Sequence, residues 1–212
     1  MKAKEKLVVF GAGGHAKVVI DIIEQQGSYE IATVLDDDVK RKGSRFFGYT
    51  VLGTRADLPE LRSTHLRHAI VAIGDNAGRA AVAALLTQQG WQFATAVHPH
   101  ASIGRGVEIA PGCVIMAGCV VNADTYLGAH VIINTGATID HDCRIEDGVH
   151  IAPGCHLCGG VSVGRHSFLG AGTTVTPGVK IGGKVIVGAG SAVIRDVVDG
   201  ARVSGVPARS LD

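Results

Sequence analysis

Between positions 97 and 193, every sixth residue of the chain is Val, Ile or Leu, without a break. Four residues after each of these comes a second set of mostly smaller side chains, from Ala101 to Val197. A period of six is even, so it fits the alternation of a β-strand but neither the 3.6-residue helix nor a heptad. A short repeat this strict indicates a solenoid, in which each unit buries its apolar face only against its neighbours.

The repeat predicts the geometry of each unit. The large aliphatic residue points inward from a short strand, and the smaller residue faces a narrow corner, where Gly, Asp and Asn supply turn conformations. Three units form a coil of eighteen residues, and successive coils stack about 4.8 Å apart. Four of the five cysteines occupy the small inward slot, which predicts buried apolar roles rather than disulfides or metal ligation: Cys113, Cys119, Cys143 and Cys155. Cys158 is out of phase.

The first 96 residues lack the six-residue period. Strands are predicted over 7–10, 31–35 and 69–73, and helices over 17–26 and 79–89, with residues 93–97 leading into the repeat. Alternating strands and helices indicate a parallel sheet, so this domain is predicted to be α/β and Rossmann-like. Strand ends rich in Gly and Asp would meet at its carboxyl edge, where such sheets bind ligands. Two domains are therefore expected, residues 1–96 and residues 97–212.

A glycine-rich turn follows the first predicted strand and opens the first helix, at residues 11–16 (GAGGHA). Gly11, Gly13 and Ala16 satisfy the dinucleotide fingerprint, and Asp36 stands at about the spacing of a ribose-binding carboxylate. The domain is short for a complete dinucleotide fold, so one mononucleotide-binding half fits its size better. Backbone N–H groups at the helix start would bind phosphate. The alternative is a tight turn that only packs helix against strand.

The candidate chemical centre lies within one hexapeptide, where Asp140 and Asp142 flank His141. A corner imidazole, with a reference pKa of about 6.5, is suited to general-base catalysis. A neighbouring carboxylate can fix its tautomer and stabilise the imidazolium. Gly159 follows eighteen residues later, so it would stack over the same corner and its N–H could stabilise an oxyanion. The alternatives are a solvated corner histidine and an ordinary turn glycine.

The repeat resembles that of the hexapeptide-repeat acyltransferases, which implies a left-handed parallel β-helix and a homotrimer with active sites between subunits. Three motifs ahead of the repeat, at 11–17 (GAGGHAK), 35–37 (LDD) and 72–76 (AIGDN), narrow the resemblance to the sialic-acid and bacillosamine type of sugar acetyltransferase, over essentially the whole chain. The resemblance implies an amino-terminal domain that binds a nucleotide-linked amino sugar and a β-helix that binds acetyl-CoA as co-substrate, without a metal.

Family positions carry over to individual residues. The implied nucleotide-sugar contacts are Gly13, Gly14, His15, Asp36, Asp37 and Gly74. His141 matches the catalytic base and Asp142 the acid that raises its basicity, although some relatives have Glu there. The implied acetyl-CoA contacts are His150, Ala171 and Ala189. His150 is expected on a different corner from His141, so that one active site would draw on two subunits.

The implied reaction is attack by a sugar amine on the thioester carbonyl of acetyl-CoA. The overall layout of the chain, with Asp rather than Glu after the base histidine, most resembles the family members that acetylate GDP-perosamine on its 4-amino group. A UDP-linked 4-amino-4,6-dideoxy sugar remains an alternative, as does O-acetylation of sialic acid. The residues from 11 to 76 do not let physical reasoning choose guanine over uracil.

Other classes of protein fit less well. A formal net charge of +1 gives no reason to expect nucleic acid or a membrane as partner. The basic start at residues 1–6 is followed by four apolar residues only, unlike a secretion signal, so a cytoplasmic location is expected. A hexapeptide-repeat carbonic anhydrase would need two histidines five residues apart, and none of the ten are. An NAD-dependent oxidoreductase leaves the repeat unexplained, and a non-catalytic binding scaffold leaves the Asp-His-Asp corner unexplained.

Overall fold

The computed structural model describes residues 4–64 and 66–211, so residues 1–3 of the basic start lie outside it. The chain divides into two compact units, residues 1–97 and 98–212. The first is α/β with a mostly parallel sheet, and the second is a left-handed parallel β-helix, so the predicted fold class is confirmed. Val97 falls in the first unit, one residue past the boundary expected from the repeat.

The first unit alternates strands and helices from its start. Its strands are β1 (Glu5–Phe10), β2 (Tyr29–Leu35), β3 (Arg45–Phe46), β4 (Tyr49–Gly53), β5 (His68–Val71), β6 (Gln92–Phe93) and β7 (Ala96–Val97). Its helices are α1 (Gly14–Gln26), α2 (Leu58–Ser63) and α3 (Asn76–Gln88), with 3-10 turns at Val39–Arg41 and Arg55–Asp57. Residues 93–97, which were expected to lead into the repeat, contain the end of β6 and all of β7, with a break at residues 94 and 95.

Six of these strands form a sheet in the order β3-β4-β2-β1-β5-β6, parallel except for the β3/β4 hairpin. One apolar core joins β1 and β5 to α2 and α3, and Phe10, Leu58 and Leu86 in it are almost fully buried. The buried stripe of α1 covers β1 and β2. Since β2 and β5 flank β1 on opposite sides, the chain reverses direction across the sheet at the carboxyl end of β1, where parallel sheets bind ligands.

The loop after β1 requires glycine at one position. Gly11 has φ +119°, and a Cβ there would lie 2.7 Å from the carbonyl oxygen of Ala72. The turn is then fixed by Asp36, whose Oδ2 accepts the Ala12 N–H at 2.7 Å and whose Oδ1 accepts the Asp38 N–H at 2.9 Å. Asp36 thus shapes the glycine turn from the end of the neighbouring strand.

The β3/β4 hairpin was not predicted from the sequence. Its two-residue loop places Phe47 at φ +45° and Gly48 at φ +89°, the pattern of a type I′ turn, in which Asn-Gly is preferred. A bulky residue in this conformation is an outlier that costs on the order of 1–3 kcal/mol. The Phe47 side chain is also 47% exposed, so burial does not offset that cost.

The second unit is a three-sided column in which strands eighteen residues apart pair in parallel. The first face carries Val114–Ile115, Ile132–Ile133, His150–Ile151, Phe168–Leu169, Ile186–Val187 and Arg202–Ser204, and ends in an antiparallel strand, Arg209–Ser210. The second carries Ser102–Ile103, Val120–Val121, Thr138–Ile139, His156–Leu157, Thr174–Val175 and Ala192–Val193. The third carries Glu108–Ile109, Tyr126–Leu127, Arg144–Ile145, Ser162–Val163 and Lys180–Ile181.

The large aliphatic residues of the repeat point inward and are buried from Ile115 to Val193. The prediction is wrong for Ile103, which is 37% exposed. Ile103 lies in the first coil, and an end coil in a stack has a covering neighbour on one side only. The interior is otherwise continuous, as a six-residue period requires.

The small inward slot is more polar than an apolar role implies. Its hydroxyls and thiols donate hydrogen bonds to carbonyl groups of the next coil: Thr125 to Asp140 at 2.9 Å, Ser167 to Gly182 at 2.7 Å, and Cys155 to Gly170 at 3.1 Å. Burial raises the pKa of the Cys155 thiol, so it stays protonated and can donate. The slot therefore ties each coil to the next as well as filling the corner.

Replacing Cys155 with Ala is expected to lower the free energy of unfolding by about 1 kcal/mol, because a buried carbonyl loses its donor and the slot loses volume. Cys155→Ser is the matched control, since Thr173 and Ser191 fill the same slot in the next two coils. Denaturant unfolding measures the difference. Turnover per folded site should not change in either variant, and loss of activity in a folded variant would contradict the structural role.

Candidate active site

His141 lies on the corner between the second and third faces, on the turn between the strands Thr138–Ile139 and Arg144–Ile145. Its side chain is 61% exposed. His141 Nδ1 lies 2.7 Å from Oδ2 of Asp142. Because an ionised carboxylate only accepts hydrogen bonds, this contact puts the proton on Nδ1 and leaves Nε2 free to accept a proton.

Asp142 contacts His141 from a left-handed backbone conformation. Its φ is +58°, at a corner position where the next two coils have Gly160 and Gly178, also with positive φ. Asp tolerates the left-handed region better than most residues. The predicted pairing of Asp142 with His141 is thus seen in the structure, and the short Asp side chain is long enough for it.

Asp140 holds the same corner from the other side. Its Oδ1 accepts the His141 backbone N–H at 2.9 Å and the Nδ2 of Asn122, one coil below, also at 2.9 Å. The hydrogen bond from Asn122 and that from the His141 N–H lower the pKa of Asp140, so it is ionised at neutral pH. The hydrogen bond to Asp142 and then the charge of Asp140 raise the pKa of His141 above its usual value.

Replacing Asp140 with Asn is expected to shift the rising limb of the pH–rate profile to lower pH. The Asn oxygen can still accept both hydrogen bonds, but the negative charge that favours the imidazolium is removed. A lower His141 pKa means that the neutral base is present at lower pH. The limb is measured from kcat/KM against pH, with Asp147→Asn on another corner as control. An unchanged limb in a folded Asp140→Asn variant would contradict this electrostatic role.

Gly159 lies against the ring of His141. A Cβ built on Gly159 would stand 2.6 Å from Cε1 and 2.8 Å from Nε2 of the imidazole, too close for any side chain. The Gly159 N–H has no hydrogen-bond acceptor within residues 4–64 and 66–211. The structure thus brings together on one corner the three residues expected to be catalytic: a base, its carboxylate and an available N–H donor.

A cavity of about 330 Å³ lies at the carboxyl edge of the first unit's sheet. The six residues expected to bind the nucleotide sugar all line it: Gly13, Gly14, His15, Asp36, Asp37 and Gly74. Asp37 is held by Arg55, whose Nε lies 2.9 Å from its Oδ2, and this pairing lowers the pKa of Asp37. The carboxylates of Asp36 and Asp37 are therefore held in the cavity wall by hydrogen bonds, and the glycine turn lines the cavity with its backbone.

The expected position of His150 is wrong. His150 lies in a strand on the first face, not on a corner, because nine residues from His141 is one and a half units and moves from a corner to a face. The side chain is 9% exposed and stacks edge-on to Phe168, with ring centroids 5.2 Å apart. Asn134 Nδ2 lies 3.2 Å from His150 Nε2, a partner that the sequence did not reveal.

The two alanines expected to contact acetyl-CoA lie on yet another edge of the column. Ala171 and Ala189 stack one coil apart on the corner between the first and second faces. The second face therefore separates them from His141 and Gly159. Among the described residues, no group of three or more His, Cys, Asp or Glu side chains is placed to hold a metal ion.

Comparison with known proteins follows the same division of the chain. Residues 6–86 match the PglD N-terminal domain family, residues 142–177 match the bacterial transferase hexapeptide family, and residues 160–195 match the hexapeptide repeat of succinyl-transferase. Perosamine N-acetyltransferase from Caulobacter crescentus is 41% identical over 99% of this chain and 98% of that one, with a TM-score of 0.94. The chain belongs to this family of hexapeptide-repeat sugar acetyltransferases.

Several family members have known ligands. The perosamine N-acetyltransferase was solved as its H141N and H141A variants, both with CoA and GDP-perosamine. The acetyltransferase domain of PglB from Neisseria gonorrhoeae, solved with acetyl coenzyme A, is 36% identical over 99% of this chain and 100% of that one, with a TM-score of 0.91. UDP-N-acetylbacillosamine N-acetyltransferase of Bacillus subtilis is 39% identical over 116 residues, 52% of this chain and half of that protein's length.

Proposed function

We propose that the protein transfers the acetyl group of acetyl-CoA to the 4-amino group of a nucleotide-linked 4-amino-4,6-dideoxy sugar, with GDP-perosamine as the substrate. The observation that carries the proposal is the geometry of the His141 corner. The Asp142 carboxylate lies 2.7 Å from His141 Nδ1 and so fixes the imidazole tautomer, and Nε2 faces the Gly159 backbone. Family members of known structure hold CoA with GDP-perosamine, and acetyl coenzyme A, which supports both substrates.

The proposed chemistry is direct transfer. The neutral sugar amine attacks the thioester carbonyl carbon, the new C–N bond forms, and the carbonyl electron pair moves onto oxygen, where the Gly159 N–H stabilises it. The nitrogen passes a proton to His141 Nε2, and Asp142 stabilises the imidazolium. Collapse of the intermediate breaks the C–S bond, and the CoA thiolate takes the proton from Nε2. The products are the N-acetyl sugar and CoA.

Binding is divided between the two units. The carboxyl-edge cavity takes the nucleotide sugar, with the N–H groups of the glycine turn at the start of α1 facing its phosphates. The column takes acetyl-CoA through His150, Ala171 and Ala189. No metal takes part in the proposed reaction.

A homotrimer with active sites between subunits accounts for the positions on the column. Ala171 and Ala189 mark one edge of the second face and His141 marks the other, so two copies can present these different edges to one cofactor. The outward side chains of the second face are mostly small or weakly polar, as in Val120, Thr138 and Ala192, which suits packing between columns. Analytical ultracentrifugation tests the trimer.

The cytoplasm is the proposed location. The five cysteines are free thiols, which suits a reducing compartment. None of the helices in the described part of the chain is long and apolar enough to span a bilayer.

The deciding experiment measures thiol release from acetyl-CoA with a panel of acceptors. GDP-perosamine should be the best substrate, with UDP-linked 4-amino sugars slower and sialic acid inert. A preference for a UDP sugar or for sialic acid would overturn the proposed acceptor but leave the proposed acetyltransferase activity standing. No thiol release with any amino sugar would overturn the proposal and favour a nucleotide-sugar-binding scaffold.

A further inference from the structure

A second cavity opens on the other side of the glycine turn, and none of the residues discussed so far as substrate contacts explains its chemistry. It measures about 450 Å³ and shares Ala12, Gly13 and Gly14 with the carboxyl-edge cavity. The residues that it alone contains come from α1, the Val39–Arg41 turn and the β3/β4 hairpin: Lys17, Arg41, Arg45, Phe46 and Phe47. We call it the hairpin cavity.

The side chains in the hairpin cavity carry charge of one sign. Lys17 makes no hydrogen bond or ion pair with the described part of the chain. Arg41 donates from Nη1 to the Ala12 carbonyl at 2.9 Å, and its Nε lies 3.7 Å from Asp38 and 4.0 Å from Asp36, which leaves Nη2 available. Arg45 donates from Nη2 to the Gly48 carbonyl at 2.7 Å and from Nη1 to the Thr50 hydroxyl at 3.4 Å, which leaves its Nε available. The cavity thus offers unused N–H donors.

Phe47 gives the cavity an aromatic wall. The ring is half exposed and stands on a backbone with positive φ, where glycine or asparagine would be less strained. Such strain at a cavity points to a role in binding rather than in folding. An exposed aromatic ring beside arginine side chains is an arrangement that stacks on a nucleobase.

The topology says how a nucleotide sugar would lie. Ligands of open parallel sheets bind where the strand order reverses, which here is the carboxyl end of β1 between β2 and β5. A ligand whose diphosphate sits on the glycine turn has its two ends on either side of that turn. One side is the carboxyl-edge cavity beside β5, and the other is the hairpin cavity beyond β2.

We propose that the hairpin cavity binds the nucleobase of the substrate and selects guanine, with Phe47 stacked on the base and the guanidinium groups of Arg41 and Arg45 facing its O6 and N7. This inference rests on the proposed function for the presence of a nucleotide sugar. Guanine presents two adjacent acceptors on that edge, which match arginine donors. Adenine presents an amino donor there instead, and uracil has a smaller surface for stacking.

Titration calorimetry with GDP, ADP and UDP on the full-length protein tests the proposal, since it needs neither the sugar nor acetyl transfer. The unaltered protein should bind GDP about tenfold more tightly than ADP or UDP, the scale of a lost base contact. Phe47→Asn should weaken GDP binding about tenfold, the scale of one lost base–aromatic stack, and leave UDP binding almost unchanged. Phe47→Tyr, which keeps a ring, should retain GDP binding.

Two further measurements separate binding from folding. Because Asn-Gly suits the hairpin turn better than Phe-Gly, Phe47→Asn should raise Tm by about 2–4 °C while it weakens GDP binding. Val39→Asn, at a 71% exposed position outside the cavity, is the matched control and should bind GDP normally. Equal affinity for the three nucleotides, binding of none of them, or unchanged GDP binding by Phe47→Asn would each overturn the proposal. If the protein selected guanine but transferred no acetyl group, the proposed function would be wrong and the nucleobase proposal would stand.

Discussion

His141→Asn should lower turnover by a factor of about 10² or more, the scale of a lost general base, while acetyl-CoA binds with unchanged affinity. The asparagine can still contact Asp142, but it cannot accept a proton from the amine at neutral pH. The side chain is more than half exposed and contributes little to the packing of the column, so the variant should remain folded. Steady-state thiol release gives the turnover, and calorimetry gives the acetyl-CoA affinity.

The matched control for that substitution is His156→Asn. His156 is also exposed, lies on the second face and contacts the Thr138 hydroxyl at 2.9 Å through Nδ1, but no carboxylate of residues 4–64 or 66–211 pairs with it. It should retain normal turnover. If both variants lost activity equally, a general effect on the column would explain the result. Near-normal turnover of His141→Asn would remove His141 as the base.

The column could be predicted from sequence because each of its residues has the same environment as its counterpart one coil away. The period therefore fixes strand positions, the direction of side chains and which residues stack, and only the first coil, at Ile103, departs from it. The stacking of Gly159 over His141 follows from the same eighteen-residue spacing. The contact of Asn122 with Asp140 has the same spacing, but the spacing alone does not show which stacked side chains form a hydrogen bond.

Contacts that do not follow the six-residue period could not be predicted from the sequence. Asn134 and His150 are sixteen residues apart, so their side chains meet diagonally across neighbouring coils, and no sequence pattern indicates that. His150 is predicted to lie on a corner, but one and a half units separate it from His141, so it lies on a face. The β3/β4 hairpin lacked its usual signal because Phe47 stands where Asn is preferred. Local sequence and fold disagree there, and such disagreements are expected at functional sites.

Asp36 lies at the motif's expected position, but its contacts in the structure differ from those that the motif predicts. Its spacing from the glycine turn fits a ribose-binding carboxylate, but in the structure both of its oxygens accept backbone N–H groups, from Ala12 and Asp38. The carboxylate therefore fixes the loop that is proposed to bind the nucleotide sugar. The motif located the site, and only the hydrogen bonds showed how the residue acts in it.

Gly159→Ala should lower turnover by about 10²-fold with little change in stability. The new methyl group would stand 2.6 Å from the His141 ring, so the imidazole must move away from the Gly159 N–H and from the acetyl group. A displacement of about 1 Å at a catalytic group can cost this much. The φ of Gly159 is not in the left-handed region, so Ala is compatible with the backbone there and only the ring contact is affected.

Gly183→Ala is the matched control, because Gly183 occupies the equivalent place on the corner between the third and first faces. A Cβ there would meet its nearest neighbour at 3.4 Å, which is ordinary contact, and the N–H bond to Asp199 would be kept. Turnover should be normal in this variant. The double variant Gly159→Ala with His141→Asn should lose little beyond His141→Asn alone, because the methyl group acts through the imidazole. Multiplicative losses in the double variant would mean that the methyl group disturbs the reacting groups independently of the imidazole, since alanine keeps the backbone N–H.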